Sequence, residues 1–238
     1  MKILVTGGGS GIGRAIARHF SAEGAEITIA GRRMDALQET DDGRGMTCRT
    51  VDVTDEASVQ ALFDAPYDVV IANAGAGNPS KLRDMALADW KSTVDVNLTG
   101  TFLTFRSALA GMQTGGRLIA IASTASLQGG PNISAYVAAK HGVLGLVRAL
   151  AKEVARDGIT CNAVCPGFVD TDMGQAAVTN VMNRFDIPRY KAEKLVVGGN
   201  PMRRMITVDE VVAAVAFLAS PGASMVNGHA LSVSGGEI

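Results

Sequence analysis

Residues 2–13, KILVTGGGSGIG, decide the fold. Lys2 to Thr6 form a short β-branched run, glycines fill most of positions 7 to 13, and RAIARHFSAEG (residues 14–24) continues as a helical pattern. Strand, glycine turn and helix in that order are the setting a dinucleotide-binding loop requires. Glycine permits the tight turn, lets backbone N–H groups approach a pyrophosphate, and removes the side chain where helix meets strand. The helix N-terminus adds favourable partial charge. An isolated glycine cluster is a linker as often as a site; these flanking elements favour the site.

Outward from that loop, apolar runs and helical patterns alternate. EITIA (residues 26–30) reads as the second strand and TCRTVDV (47–53) as the third. A short helix over 55–63 precedes a fourth strand, Asp68–Ala72, which runs into Asn73-Ala74-Gly75. A long helical pattern spans Asp89–Met112. RLIAIAS (117–123) is a fifth strand ending on Ser123, and ITCNAVC (159–165) a sixth, closed by Pro166-Gly167. A last helix is expected over 207–219 and a last strand over 229–233. Such alternation predicts an α/β fold, a doubly wound parallel sheet with helices on both faces. Residues 173–205 lose strand periodicity and are expected to form a lid or binding loop. No linker or repeat divides residues 1–238, so one domain is expected.

Composition narrows the function. The chain has 238 residues, 47% of them hydrophobic, and a formal net charge of −1, which argues against a nucleic-acid partner recruited by bulk electrostatics. No apolar run is long enough to span a membrane, and a strand beginning at Lys2 leaves no room for a signal peptide, so a cytoplasmic protein is expected. Cys48, Cys161 and Cys165 read as small buried thiols of a reducing compartment, and the scattered His19, His141 and His229 supply no metal site.

The chemistry is placed in IASTASLQGGPNISAYVAAK, residues 121–140. Ser123 ends a strand, Gly129 to Pro131 make a turn, and from Ser134 a helical pattern carries Tyr136 and Lys140 one turn apart on one face. A cation beside a phenol favours the phenolate, so Lys140 is expected to lower the Tyr136 pKa and make it a proton donor or acceptor at a substrate oxygen. The chain contains a second such pair, Tyr190 and Lys194. Thirteen residues before Tyr136 stands the strand-end Ser123; thirteen before Tyr190 stands Ala177, without strand character. The second pair therefore reads as a solvated helix face.

After the second strand comes Gly31-Arg32-Arg33, where an NAD site wants a carboxylate to accept from the ribose hydroxyls. Loss of the acid and gain of a guanidinium favour a 2′-phosphate. The expected cofactor is NADP(H) in preference to NAD(H), with Arg32 the main contact and Arg33 the second; the alternative is a solvated pair opening the next helix.

The pattern Thr6-Gly7-x-x-x-Gly11-x-Gly13, together with Ser123, Tyr136 and Lys140, resembles the short-chain dehydrogenase/reductase family over essentially the whole chain. The resemblance implies a seven-stranded Rossmann fold in the order 3-2-1-4-5-6-7 and catalytic roles for Asn97, Ser123, Tyr136 and Lys140. Asn97 would bind a water that relays protons between the lysine and solvent. It further implies cofactor contacts from Thr6, Gly7, Ser10, Gly11, Ile12 and Gly13, and from Asp52 and Val53 at the adenine edge. Asn73, Ala74 and Gly75 would pass beneath the cofactor, with Ala72 replacing the motif's first asparagine. Tyr136, Lys140, Pro166, Gly167, Val169 and Thr171 would serve the nicotinamide half. Asp52 reads equally as a helix cap for the segment after Thr54. Family members pair their long helices with symmetry mates, so a homotetramer, or at least a dimer, is expected; small residues Ala139, Gly142, Gly145 and Ala149 offer a face for close packing. The tail Ser234-Gly235-Gly236 departs from the family's Asp-Gly-Gly.

The run from Ile133 to Met173 looks most like 3-oxoacyl thioester reductases and polyketide ketoreductases, so NADPH-dependent reduction of a 3-oxoacyl thioester or related β-ketone is expected. Between Arg184 and Arg204 lie six basic and two acidic residues, either a solvated surface or cations that steer a carrier- or CoA-linked, phosphate-bearing substrate. The other readings are a dehydrogenase of a secondary alcohol, sugar, steroid or 3-hydroxyacyl-CoA, and a nucleotide-sensing protein without turnover.

Overall fold

The apolar runs become strands because helices cover them on both sides, which removes the polar alternation of a half-exposed sheet. Successive side chains of a strand face opposite ways: Ile3 and Val5 enter one buried cluster, Leu4 the other. In the computed structural model, which describes residues 1–238, these runs form one parallel sheet in the order 3-2-1-4-5-6-7, as expected.

In chain order the elements are β1 (Lys2–Thr6), α1 (Gly11–Ala22), β2 (Glu26–Gly31), α2 (Met34–Asp41), β3 (Thr47–Thr50), α3 (Glu56–Gln60), β4 (Val69–Ala72), α4 (Leu87–Val94), α5 (Gly100–Leu109), β5 (Arg117–Ile121), α6 (Ser134–Glu153), β6 (Thr160–Pro166), α7 (Asp172–Phe185), α8 (Arg189–Val196), α9 (Val208–Ala219) and β7 (Ala230–Val233). Helices α1, α2 and α9 cover one face of the sheet through Ile16, Phe20, Leu37, Val211 and Val215. The other face packs against α3, α5 and α6 through Val59, Phe105, Val143 and Val147. Burying such a side chain contributes roughly 1.5–3 kcal/mol relative to leaving it in water.

Three expectations about the elements change. The third strand stops at Thr50, because Val51–Val53 turn away to border a groove. The helical pattern expected over 89–112 runs from Leu87 to Leu109 and is interrupted by a π-helical turn at Asp95–Thr99. Residues 173–205 are largely helical, comprising α7 and α8. Thr171 caps the first of these, its hydroxyl accepting from the Gly174 N–H at 3.3 Å, and Pro188 precedes the second.

Sheet order reverses direction between β1 and β4, and the connections from these two strands leave on opposite faces. A crevice opens beyond their carboxyl ends, where open α/β sheets take ligands. No helix is long and apolar enough to cross a membrane.

Candidate active site

The glycine loop is shaped by what lies against it. Gly7 and Gly11 have φ of +66° and +49°, a region costly for residues with a Cβ. A Cβ on Gly7 would come 2.8 Å from Asn73 Nδ2, and one on Gly13 would overlap the Gly7 carbonyl oxygen. Thr6 and Asn73 tie the two strand ends together: the Asn73 and Ala74 N–H groups donate to Thr6 Oγ1 at 3.1 and 3.2 Å, and Asn73 Nδ2 donates to the Thr6 and Gly7 carbonyls at 3.0 and 3.1 Å. Ser10 precedes α1 without making a side-chain cap, and the first turn contains no acidic residue. The opening N–H groups of that helix are left for an anion. Ile12 packs partly into the core.

From this loop a groove extends over Gly31, Arg32 and Asp52 and, in the other direction, to Gly75 and Ala76. Arg32 and Arg33 are exposed on its wall, and neither is ion-paired. The Thr54 N–H and hydroxyl hold the Asp52 carboxylate below its ordinary range, and Arg32 adds a weaker pull. Asp52 is therefore a local turn anchor, bonded to Thr54 N–H at 2.9 Å. The cap of the following helix is instead Asp55, which accepts from Ser58 N–H at 2.6 Å. Val53 packs against Gly100, where a Cβ would come within 2.8 Å of it.

Sequence reasoning passed over Arg14. Its guanidinium donates to the Gly9 carbonyl at 2.7 Å, bonds Thr40 Oγ1 at 3.2 Å and pairs with Glu39 at 2.7 Å. It thereby locks the glycine loop to α2. Nothing in its place on an amphipathic helix sets it apart from a solvated arginine.

Across the crevice, β5 delivers Ser123, whose Oγ accepts from the Ala125 N–H at 3.1 Å. Helix α6 presents Tyr136 and Lys140 on one side, as their spacing requires. Lys140 is 4% exposed, and its ammonium lies 5.6 Å from the Tyr136 ring centroid and donates to the Ile121 carbonyl at 2.9 Å. The expected depression of the tyrosine pKa is not what this environment produces. Burial pushes the Tyr136 hydroxyl above its ordinary value and the Ser123 side chain pulls it part of the way back. Burial also brings Lys140 down from 10.5 to about 8. Desolvation dominates both groups because the amine sits over the ring face, bonded to a strand carbonyl, while the phenol loses water.

Asn97 occupies the π-helical turn. Its Nδ2 donates to the Ala76 carbonyl at 2.5 Å and the Thr93 carbonyl at 2.8 Å, while its buried Oδ1 has no partner. A Cβ on Gly75 would stand 2.9 Å from that Oδ1 and 3.6 Å from Lys140 Nζ, so both polar atoms border one small space. π turns bulge a helix locally and often occur at functional sites; no residue pattern in 95–99 announced this one. Gly142 packs on Leu98 of the same turn, so part of the small-residue face of α6 is filled from within the chain.

Pro166 ends β6, and the Gly167 N–H donates to the Val233 carbonyl at 3.1 Å. Val169 is buried within the core cluster, and its carbonyl accepts from the Thr171 N–H at 2.9 Å. The Thr171 methyl lies beside Gly11, 3.3 Å from where a Cβ would stand, which brings the loop after β6 against the glycine loop. Half of the lid's cations are engaged within the chain: Arg204 binds Glu210 through two nitrogens, Arg203 donates to the Gly198 carbonyl at 2.9 Å, and Arg189 bonds Glu193 and Gln175. Tyr190 is 58% exposed and Lys194 is exposed too, as a solvated face requires.

Comparison with known proteins agrees with this geometry. Residues 7–237 match a family model described as enoyl-(acyl carrier protein) reductase. A Streptomyces coelicolor protein provisionally designated a ketoacyl reductase is 37% identical, the match covering 98% of this chain and 95% of that one. The 3-oxoacyl-(acyl-carrier-protein) reductase of Chlamydia trachomatis is 34% identical, over 98% of this chain and 95% of its own length. A crystal structure of an actinorhodin polyketide ketoreductase variant with NADPH superposes with a TM-score of 0.93 at 35% identity, covering 99% of this chain and 96% of that chain. With the glycine loop, the seven-stranded order and the Ser-Tyr-Lys set in place, the chain belongs to the short-chain dehydrogenase/reductase family of oxidoreductases.

Proposed function

We propose that this protein is an NADPH-dependent reductase of a 3-oxoacyl thioester or related β-ketone. The observation that carries the reading is the convergence of Tyr136, Lys140 and Asn97 at the end of a groove whose other end bears two unpaired arginines. The groove fits a dinucleotide phosphate: its glycine loop has no room for side chains, its helix N–H groups are uncapped, and Arg32 is free for a 2′-phosphate. When bound there, NADPH supplies the hydride that reduces the carbonyl carbon. Thr6, Asn73 and Arg14 hold the loop; Thr171 and the Val169 backbone face the nicotinamide half. Ser123 donates a hydrogen bond to the substrate oxygen and Tyr136 gives it a proton. Burial keeps the Tyr136 phenol in its protonated form, the form that reduction requires. Lys140 holds the ribose and draws replacement protons through a water on Asn97 Oδ1, whose unpartnered state supports this role.

Residues 173–205 form the substrate lid of a single domain, and the substrate is carrier- or CoA-linked, met by the three lid cations that have neither an ion pair nor a side-chain hydrogen bond, Arg184, Lys191 and Lys194. A cytoplasmic homotetramer completes the reading. Oxidation of NADPH and NADH with acetoacetyl thioesters, measured by absorbance, tests it: NADPH is preferred, and Arg32→Asp narrows or reverses that preference by about tenfold or more. Preference for NADH in the unmutated protein overturns the cofactor assignment, and no turnover of any β-ketone overturns the substrate class.

A further inference from the structure

Past β7 the chain doubles back toward the crevice. Gly235 and Gly236 have φ of +63° and +88°, a pair of left-handed positions that suit glycine. The first packs against buried Asn200, where a side chain would collide with the amide, and the second against Pro201. Asn200 is fixed in turn by accepting from Met202 N–H at 2.8 Å and donating to the Arg204 carbonyl at 2.9 Å. This turn carries Glu237 inward to a place defined by three segments. Gln128 Nε2, on the segment after Ser123, donates to its Oε1 at 2.6 Å. A Cβ on Gly167 would lie 2.9 Å from its Oε2 and 3.7 Å from the methyl of Thr124, the neighbour of Ser123. A Cβ on Gly199, at the end of the lid, would lie 3.4 Å from its Cγ. The carboxylate is half-buried and pairs with no cation.

Resting on the β-ketone reading above, we infer that Glu237, oriented by Gln128, is a specificity-determining residue: it places a negative charge on the substrate side of the crevice and excludes carbonyl compounds that carry a carboxylate. A free 3-oxo acid brings a second negative charge toward the first, and in a partly desolvated crevice like charges repel strongly. A thioester or ester of the same acyl group has no charge there. Glu237 thus selects the esterified form over the free acid. The amide of Gln128 serves as a spacer, its donated bond holding the carboxylate at the wall.

The test compares acetoacetate with neutral methyl acetoacetate, on the unmutated protein and on Glu237→Gln, which retains an oxygen to accept from Gln128. Two readouts are taken: kcat/KM with NADPH, and the dissociation constant of each ligand from the NADP+ complex by intrinsic fluorescence of Trp90 or by calorimetry. Glu237→Gln should improve the anion by about tenfold in both readouts while leaving the neutral ester within about threefold, so the ratio of the two shifts. A merely structural role changes both ligands together and leaves the ratio fixed, which overturns the inference. Absence of turnover with either ligand removes the β-ketone reading, yet a tenfold shift in binding ratio still supports the charged wall. An unmoved ratio in binding overturns it whatever the turnover.

Discussion

Two helices of this molecule carry the same Tyr-x-x-x-Lys spacing, and they have nothing else in common. On α6, Lys140 is buried against the Tyr136 ring and bonded to a carbonyl of the central sheet; on α8, Tyr190 and Lys194 face solvent. Helical geometry sets only that the two side chains share a face. What the first pair gains comes from elsewhere: a strand end bearing Ser123, a π turn bearing Asn97, and a glycine at 75 that leaves space between them. The lesson is that spacing nominates a pair and surroundings give it chemistry.

The sharpest way to break that comparison is to remove each hydroxyl in turn. Tyr136→Phe should lower kcat by about 10²–10⁴-fold, the usual contribution of a positioned proton donor, while Tyr190→Phe stays within about twofold. Retention of more than a tenth of the activity by Tyr136→Phe would contradict its assignment as the acid. Next in size is the asparagine that only the first pair possesses. Asn97→Ala removes an unpartnered buried oxygen and two bonds to backbone carbonyls, and should reduce kcat by about ten- to a hundredfold with a smaller change in KM. A loss confined to KM would move Asn97 from proton relay to substrate binding.

The last effect falls on stability and leaves the rate comparison aside. The folded protein releases the Lys140 proton near 8, whereas the unfolded chain holds it to about 10.5. Below pH 8 the fold therefore bears the full cost of a buried cation, and stability from this group rises as pH climbs from 8 to 10.5. Lys140→Met should gain on the unmutated protein below pH 8 by on the order of 3 kcal/mol, offset by the lost carbonyl bond, and the gain should vanish by pH 10.5. Cys161, pushed up to about 12 by burial, acts in the opposite sense but equally in both proteins and cancels; Cys165, pushed up to about 11 by burial, is pulled down in part by the Lys140 charge, so the clean comparison lies below pH 8, where both thiols stay protonated. Urea unfolding across this range reads the difference. Lys194→Met should give a curve parallel to the unmutated one; if Lys140→Met does as well, its amine is not desolvated.

The alternation of strands and helices, the glycine loop and the choice between the two tyrosine pairs were legible because each rests on local pattern: an apolar run, a turn that only glycine satisfies, a serine at a strand end; the strand order came only with the family resemblance. The π turn was not, since its i→i+5 bonds follow from packing against α6 and Ala76 rather than from residue preference. The direction of the Tyr136 shift was missed for a related reason. Spacing reports that a cation is near, but how much water the phenol keeps depends on segments distant in sequence. Glu237 is the extreme case: 109 residues separate it from Gln128, and it sits in a tail that composition alone marks only as glycine-rich. The lid's helices were obscured by charges and methionines that hide a weak apolar stripe.

The pairing of β1 with β4 has a kinetic corollary. Ile3 meets Val69 and Val5 meets Ile71, so the crevice floor joins segments some sixty-six residues apart, and closing so long a loop is slow compared with forming β1–α1–β2. Neither half contains the crevice alone. A nucleotide can therefore recognise only chains in which that junction is complete, and its addition should retard unfolding far more than it hastens refolding.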